Sequence, residues 1–236
     1  MRLLLHCIGL CIAPVVFSRR SSSGYPLQGL TLSLFIRPIL HSDRILASHT
    51  ENAQAYDLLG LCGVRSADMQ DVERNFREAI RLEPLLPEPH NNLANLLVSR
   101  REFREAEFQF RRALALKPQY ADAHHGLGLV LILTGRAEEA GAELEQAAAE
   151  TSGDTQIWLD LGDLRNAQGR TNDAIVTHQR VLAINPSQQD ANLALGLILL
   201  RQGKHNDAVQ HLTAAAQGID PDVARQAQEV LAQTAR

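Results

Sequence analysis

His90, His124 and His125, the arginines between Arg100 and Arg112, and the amides Asn91, Asn92 and Asn95 are the residues whose types and spacing invite a chemical reading. A zinc site would need a helical two-histidine spacing with a glutamate, or cysteine partners, and neither accompanies these histidines. Cys7, Cys11 and Cys62 are too few and too scattered for a disulfide framework or a structural zinc site. Arg100, Arg101, Arg104, Arg111 and Arg112 are interleaved with Glu102, Glu105 and Glu107. Arg101 with Glu105 and Glu107 with Arg111 have the i, i+4 spacing of ion pairs on a solvated helix face. No phosphate-cradling glycine loop, dinucleotide fingerprint or nucleophile elbow occurs. These residues predict a protein that is not an enzyme and uses no cofactor or metal.

The elements that would carry them are helices. Apolar residues make up 45% of the 236 and aromatic ones only 4%, little bulk for one compact core of this size but enough for stacked helices rich in Ala and Leu. The net charge of -4 is uneven. No acid precedes Asp43, whereas from Ala53 onward 18 Lys or Arg face 25 Asp or Glu, a balance of -7 that argues against a nucleic-acid surface.

Residues 1–18 read as a signal peptide or other targeting segment: Met1-Arg2 precedes an apolar run from Leu3 to Phe17, too short for a comfortable membrane span. Residues 1–17 offer a means of membrane association. The acid-free, Arg- and Ser-bearing stretch to residue 42 also suits a mitochondrial presequence or a plain extension. Export or membrane attachment is the first expectation for location, with cytoplasmic or mitochondrial as alternatives. Residues 19–52 read as linker, partly disordered or helical, whose apolar patch from Leu30 to Leu40 offers a surface for docking or self-association.

A period of 34 organises the rest: Ala53, Pro87, Ala121, Thr155 and Gln189 open five segments, 53–86, 87–120, 121–154, 155–188 and 189–222, of one pattern. The seventh place holds Leu59, Leu93, Leu127, Leu161 and Leu195. The eighth holds Gly60, Ala94, Gly128, Gly162 and Gly196, and the twentieth Val72, Ala106, Ala140, Ala174 and Ala208. Small residues at eight and twenty are expected to face each other where two antiparallel helices approach closely. Gly135, Gly169 and Gly203 fall in the turn between them, and Pro84, Pro118 and Pro186 at place thirty-two stop the second helix. Residues 223–236 read as a capping helix after the Asp220-Pro221 start signal; it would close the stack, with no catalytic domain following.

Trp158, Leu161 and Gly162, then Ala174, Val181 and Pro186, resemble the tetratricopeptide signature, and the same frame recurs over residues 53–222. The resemblance implies an all-α, right-handed α-α superhelix of five helix-turn-helix repeats. Gly63 and Arg165 depart from the bulky residue expected at place eleven, and His178 from the aromatic at twenty-four. Ser152 and Asp220 replace proline, so the third and fifth repeats are expected to end less sharply. His90 and His124 stand at the fourth place, where Tyr56 and Trp158 stand elsewhere, and read as packing substitutes.

The resemblance also implies a non-catalytic interaction scaffold whose first helices line a concave groove for a partner peptide or protein. The groove residues are expected to be Leu61, Asn91, Asn92, Asn95, His125, Leu129, Ile132, Asp163, Asn166, Leu197 and Leu200. Asn92 and Asn95 are candidates for hydrogen bonds to a ligand backbone, as in the solenoid arms of sugar transferases. The alternative function is accordingly the substrate-recruiting arm of a glycosyltransferase or sulfotransferase system. A carboxylate clamp of the chaperone-adaptor kind is not expected, since Asp57 occupies the lysine place.

Overall fold

The structure, a computed structural model, describes residues 52–63 and 69–234, which belong to one compact unit. The targeting segment, nearly all of the linker and its apolar patch lie outside the described residues. Among the described residues all regular structure is helical: α1 (Ala53–Gly63), α2 (Met69–Leu82), α3 (Pro87–Ser99), α4 (Phe103–Leu116), α5 (Ala121–Leu133), α6 (Ala137–Glu150), α7 (Thr155–Ala167), α8 (Thr171–Ile184), α9 (Gln189–Arg201), α10 (His205–Ala216) and α11 (Pro221–Thr234). Consecutive helices pair as hairpins, α1 with α2 through α9 with α10, each hairpin packs on the next, and α11 packs on the last. The chain is an all-α solenoid.

Each second helix buries a stripe at i, i+4 and i+7: Val72, Phe76 and Ala79; Ala106, Phe110 and Ala113; Ala140, Leu144 and Ala147; Ala174, His178 and Val181; Ala208, Leu212 and Ala215. Gln109, Ala148 and Thr177 are buried beside it. First helices are wedged between neighbours and bury more than one side, as Leu93, Ala94, Leu96 and Leu97 do on α3. The residue at twenty-four, more than that at twenty, explains the small residue at eight. A Cβ on Gly60 would lie 2.3 Å from Phe76 Cε1, and one on Gly196 2.6 Å from Leu212 Cγ. The backbone carbonyls of Ala140 and Ala208 at place twenty come next, 3.5 and 3.3 Å from the positions a Cβ would take on Gly128 and Gly196. The expected pairing of eight with twenty is thus a contact with backbone, and the large side chain fills the notch.

The turns repeat as well. Gly135, Gly169 and Gly203 are left-handed, with φ of 80°, 76° and 75°, and the following N–H groups of Arg136, Arg170 and Lys204 donate to Leu131, Arg165 and Leu199. In the second hairpin Arg101 takes the same conformation at φ 64°, and Glu102 N–H donates to Leu97. The second helices α2, α4, α6 and α8 all end at the same place of the period, α6 included, although Ser152 replaces proline there. Thr151 N–H donates to the Ala147 carbonyl at 3.0 Å, as Lys117 and Asn185 donate to Ala113 and Val181 in the repeats that carry proline, and its hydroxyl donates to the same oxygen at 2.9 Å. The blunter end expected for the third repeat is therefore absent, whereas α10 stops two residues early, at Ala216.

Successive first helices touch at α1–α3, α3–α5 and α7–α9, while no comparable packing joins one second helix to the next. The first helices therefore form the inner side of the stack. Buried Gln189 ties down the far end: its amide donates to the carbonyls of Ala215 and Asp220 at 2.8 and 2.9 Å and accepts from Asp220 N–H at 2.9 Å.

Candidate partner-binding face

The fourth place of the period is a hydrogen-bonding position. His90 Nε2, His124 Nε2, Trp158 Nε1 and Asn192 Nδ2 lie 3.3, 3.0, 3.1 and 3.1 Å from the carbonyl oxygens of Pro84, Pro118, Ser152 and Pro186. Each side chain thereby fastens a first helix to the loop that precedes it. The second nitrogens of the histidines are also occupied: His90 Nδ1 is 2.6 Å from Gln109 Oε1 and His124 Nδ1 2.7 Å from Glu143 Oε2. These residues act through hydrogen bonds, a correction to their reading as simple packing substitutes. No group of three or more His, Cys, Asp or Glu among the described residues could hold a metal ion.

The arginine cluster is rearranged relative to expectation. Glu107 does accept Arg111 at 2.7 Å, but Glu105 pairs with Arg77 of the preceding hairpin at 2.8 Å rather than with Arg101. Arg100 reaches back to Glu73, and Arg136 reaches Glu107 at 2.5 Å. These mostly half-buried charges connect neighbouring repeats along the flank.

On the inner side, the predicted groove residues fall into two groups. Leu61, Asn95 and Asp163 are exposed, and Leu129, Ile132 and Asn166 are half-buried. The others are largely committed to the protein itself. Asn91 is buried. Asn92 Nδ2 donates to Asp57 Oδ1 at 2.8 Å, and His125 Nε2 lies 2.7 Å from Asp160 Oδ2. These contacts join place five of one repeat to place six of the next, and they remove Asn92 from its expected role as a ligand donor. Leu197 and Leu200, half-buried, pack against the cluster of Leu193, Leu212, Ala215, Val223 and Ala227, which α11 completes.

Carboxylates on this side crowd one another. Burial first, opposed by the Asn92 hydrogen bond and aided by Glu88, raises Asp57 above the usual carboxylate range. Burial, then the negative charges of Asp122, Glu88 and Asp57, pushes the Tyr120 phenol up to about 12. Tyr120 went unnoticed in the sequence because it sits between repeats, at the last place of the period. Lys117 lies 4.4 Å over its ring and 3.8 Å from Glu88. Farther along, Asp163 keeps about half its side chain open to solvent but is hemmed in by the surrounding protein, and that partial desolvation, then Asp160 and Asp190, raises its carboxyl to about 6. Asp163 Oδ1 is 3.5 Å from Nε2 of His178, whose ring is fully buried and lowered by that burial to about 4. Neither ring nitrogen of His178 has a hydrogen-bond partner.

Away from this side, a cleft of about 330 Å³ lies among Glu145, Ala148, Trp158, Leu161, Arg165 and Arg180. Arg180 covers the Trp158 ring at 4.1 Å, and Arg165, at the departing eleventh place, donates to Thr177 Oγ1 at 2.6 Å and Glu145 at 2.8 Å. No helix among the described residues is long and apolar enough to cross a membrane.

Stacked hairpins of this register define a class of helical repeat protein. The sequence profile described as Tetratricopeptide repeat matches residues 91–155, and one described as TPR repeat matches residues 162–203. The chain belongs to the tetratricopeptide repeat proteins. Among solved structures it is similar to YrrB, described as a TPR protein with an unusual peptide-binding site. That match has 19% identity and a TM-score of 0.66, over 80% of this chain and 97% of that one. It is also similar to pilF of Pseudomonas aeruginosa, with 21% identity and a TM-score of 0.67 over 79% and 90%. A third likeness is MamA from Desulfovibrio magneticus RS-1, with 22% identity and a TM-score of 0.64 over 74% and 96%. No curated protein matches in sequence. The fold and repeats are those of protein-protein interaction scaffolds.

Proposed function

We propose that the chain is a non-catalytic scaffold that holds a segment of a partner protein against the inner face of its first helices. One observation carries the reading: Leu61, Asn95, Leu129, Ile132 and Asn166 remain open or half-open along that face, while the outer stripes are spent on hairpin packing. Half-open apolar groups at helical spacing, with amides between them, suit an extended or helical peptide. The similarity to YrrB, itself described as having a peptide-binding site, supports the same use.

The test compares Leu129→Asp on the inner face with Phe108→Asp on α4, whose side chain is exposed. Loss of partner binding with the first and its retention with the second is expected. Equal binding by both variants, each folded by circular dichroism, overturns the reading.

A further inference from the structure

The described first helices carry Asp57, Glu88, Asp122, Asp160, Asp163 and Asp190 against only two cations, Arg165 and Arg201. Arg165 is turned away toward Glu145 and Thr177 on second helices, and Arg201 sits at the end of α9, its Nε donating to the Leu197 carbonyl at 3.4 Å. Lys117 approaches Glu88 only at 3.8 Å, both side chains about half exposed, an ion pair of little strength. Helix chemistry accounts for Glu88, Asp122 and Asp190, which stand in first turns where a carboxylate offsets the macrodipole. It does not account for Asp57, Asp160 and Asp163, which lie beyond the first turn. Asp57 accepts from Asn92, and buried Asp160 accepts from Gln156 and lies beside His125, so Asp163 is the one of the three with no hydrogen-bond donor among the described residues.

Resting on the groove reading above, we propose that the segment held there is cationic and amphipathic: lysine or arginine side chains spaced by leucine-like ones. The cations meet Asp57, Glu88 and Asp122 at one end and Asp163 at the other, and the apolar side chains meet Leu129 and Ile132 between them. One buried side chain points the same way. His178 Nε2, 3.5 Å from Asp163 Oδ1, is fully buried and without a hydrogen bond, and no Lys or Arg among the described residues pairs with that carboxylate. The raised carboxyls of Asp57 and Asp163 fit this arrangement, since crowded acids cost stability in the free protein and gain it back beside a cation.

The test is selection from a random displayed peptide library on the full chain at low salt. Peptides rich in Lys or Arg with interspersed Leu or Ile are expected, and their affinity falls as salt rises to roughly 0.5 M. Asp122→Asn with Asp163→Asn, both exposed and close in shape to the parent, should weaken a selected peptide by about tenfold. Enrichment of acidic or uncharged peptides, no enrichment, or binding indifferent to the two Asn substitutions overturns the inference. If uncharged peptides are selected and Leu129→Asp still abolishes their binding, the charge assignment alone fails and the groove stands. If selected peptides ignore Leu129→Asp as well, the groove reading fails with it.

Discussion

The imidazole of His178 fills the space that a side chain at Gly162 would need: a Cβ there would lie 2.7 Å from His178 Cε1. Phe76 fills the same notch over Gly60. His178 therefore does the steric work of an aromatic ring while burying two nitrogens with no partner, a cost of about 1–2 kcal/mol. His178→Phe should stabilise the protein by a similar amount in urea denaturation at neutral pH.

The advantage has a pH signature. His178 is held at about 4, below its ordinary 6.5, so the unfolded chain takes up a proton first as pH falls between those values. The parent loses stability across that window, and the gap to His178→Phe should widen from pH 7.5 to pH 5. A constant gap would contradict the burial assigned to the ring.

Asp163, facing the same ring, should respond with opposite sign. Its folded carboxyl is raised from 3.8 to about 6, so the folded state gains stability as pH falls through 6 toward 4. Asp163→Asn should be more stable than the parent at pH 7.5, and its advantage should shrink as pH is lowered through that range. Thermal denaturation at several pH values reads the difference. A lead that grows on acidification would contradict the assignment.

Arg101 occupies the left-handed turn position that glycine holds in three other hairpins. A residue with a Cβ is disfavoured there by about 1 kcal/mol. Arg101→Gly should raise stability by about 0.5–1 kcal/mol, since the Arg101 side chain is exposed and the change relieves the turn. A drop in the denaturation midpoint would show that Arg101 makes a contact worth more than the turn strain.

The period was legible because sterics enforce it: a small residue at eight and a large one at twenty-four cannot be exchanged independently, as Gly196 with Leu212 illustrates. The left-handed turns at Gly135, Gly169 and Gly203 were legible for a similar reason. The role of the fourth place was hidden, because His, Trp and Asn share no size or hydropathy, only an N–H that reaches the loop carbonyl six residues back. The groove was half legible. Spacing finds which residues stand on the inner side, but whether Asn92 is free depends on Asp57 standing one repeat away, and the seating of Leu197 depends on where α11 lies.

The central claim, that the inner face holds the partner, is tested most directly by placing a photo-crosslinking amino acid singly at Asn95 and Leu61 on first helices and at Phe108 and Val176 on second helices, all exposed in the free protein. The account predicts crosslinks to the bound segment from Asn95 and Leu61 and none from Phe108 or Val176. Crosslinks confined to Phe108 and Val176 would contradict it.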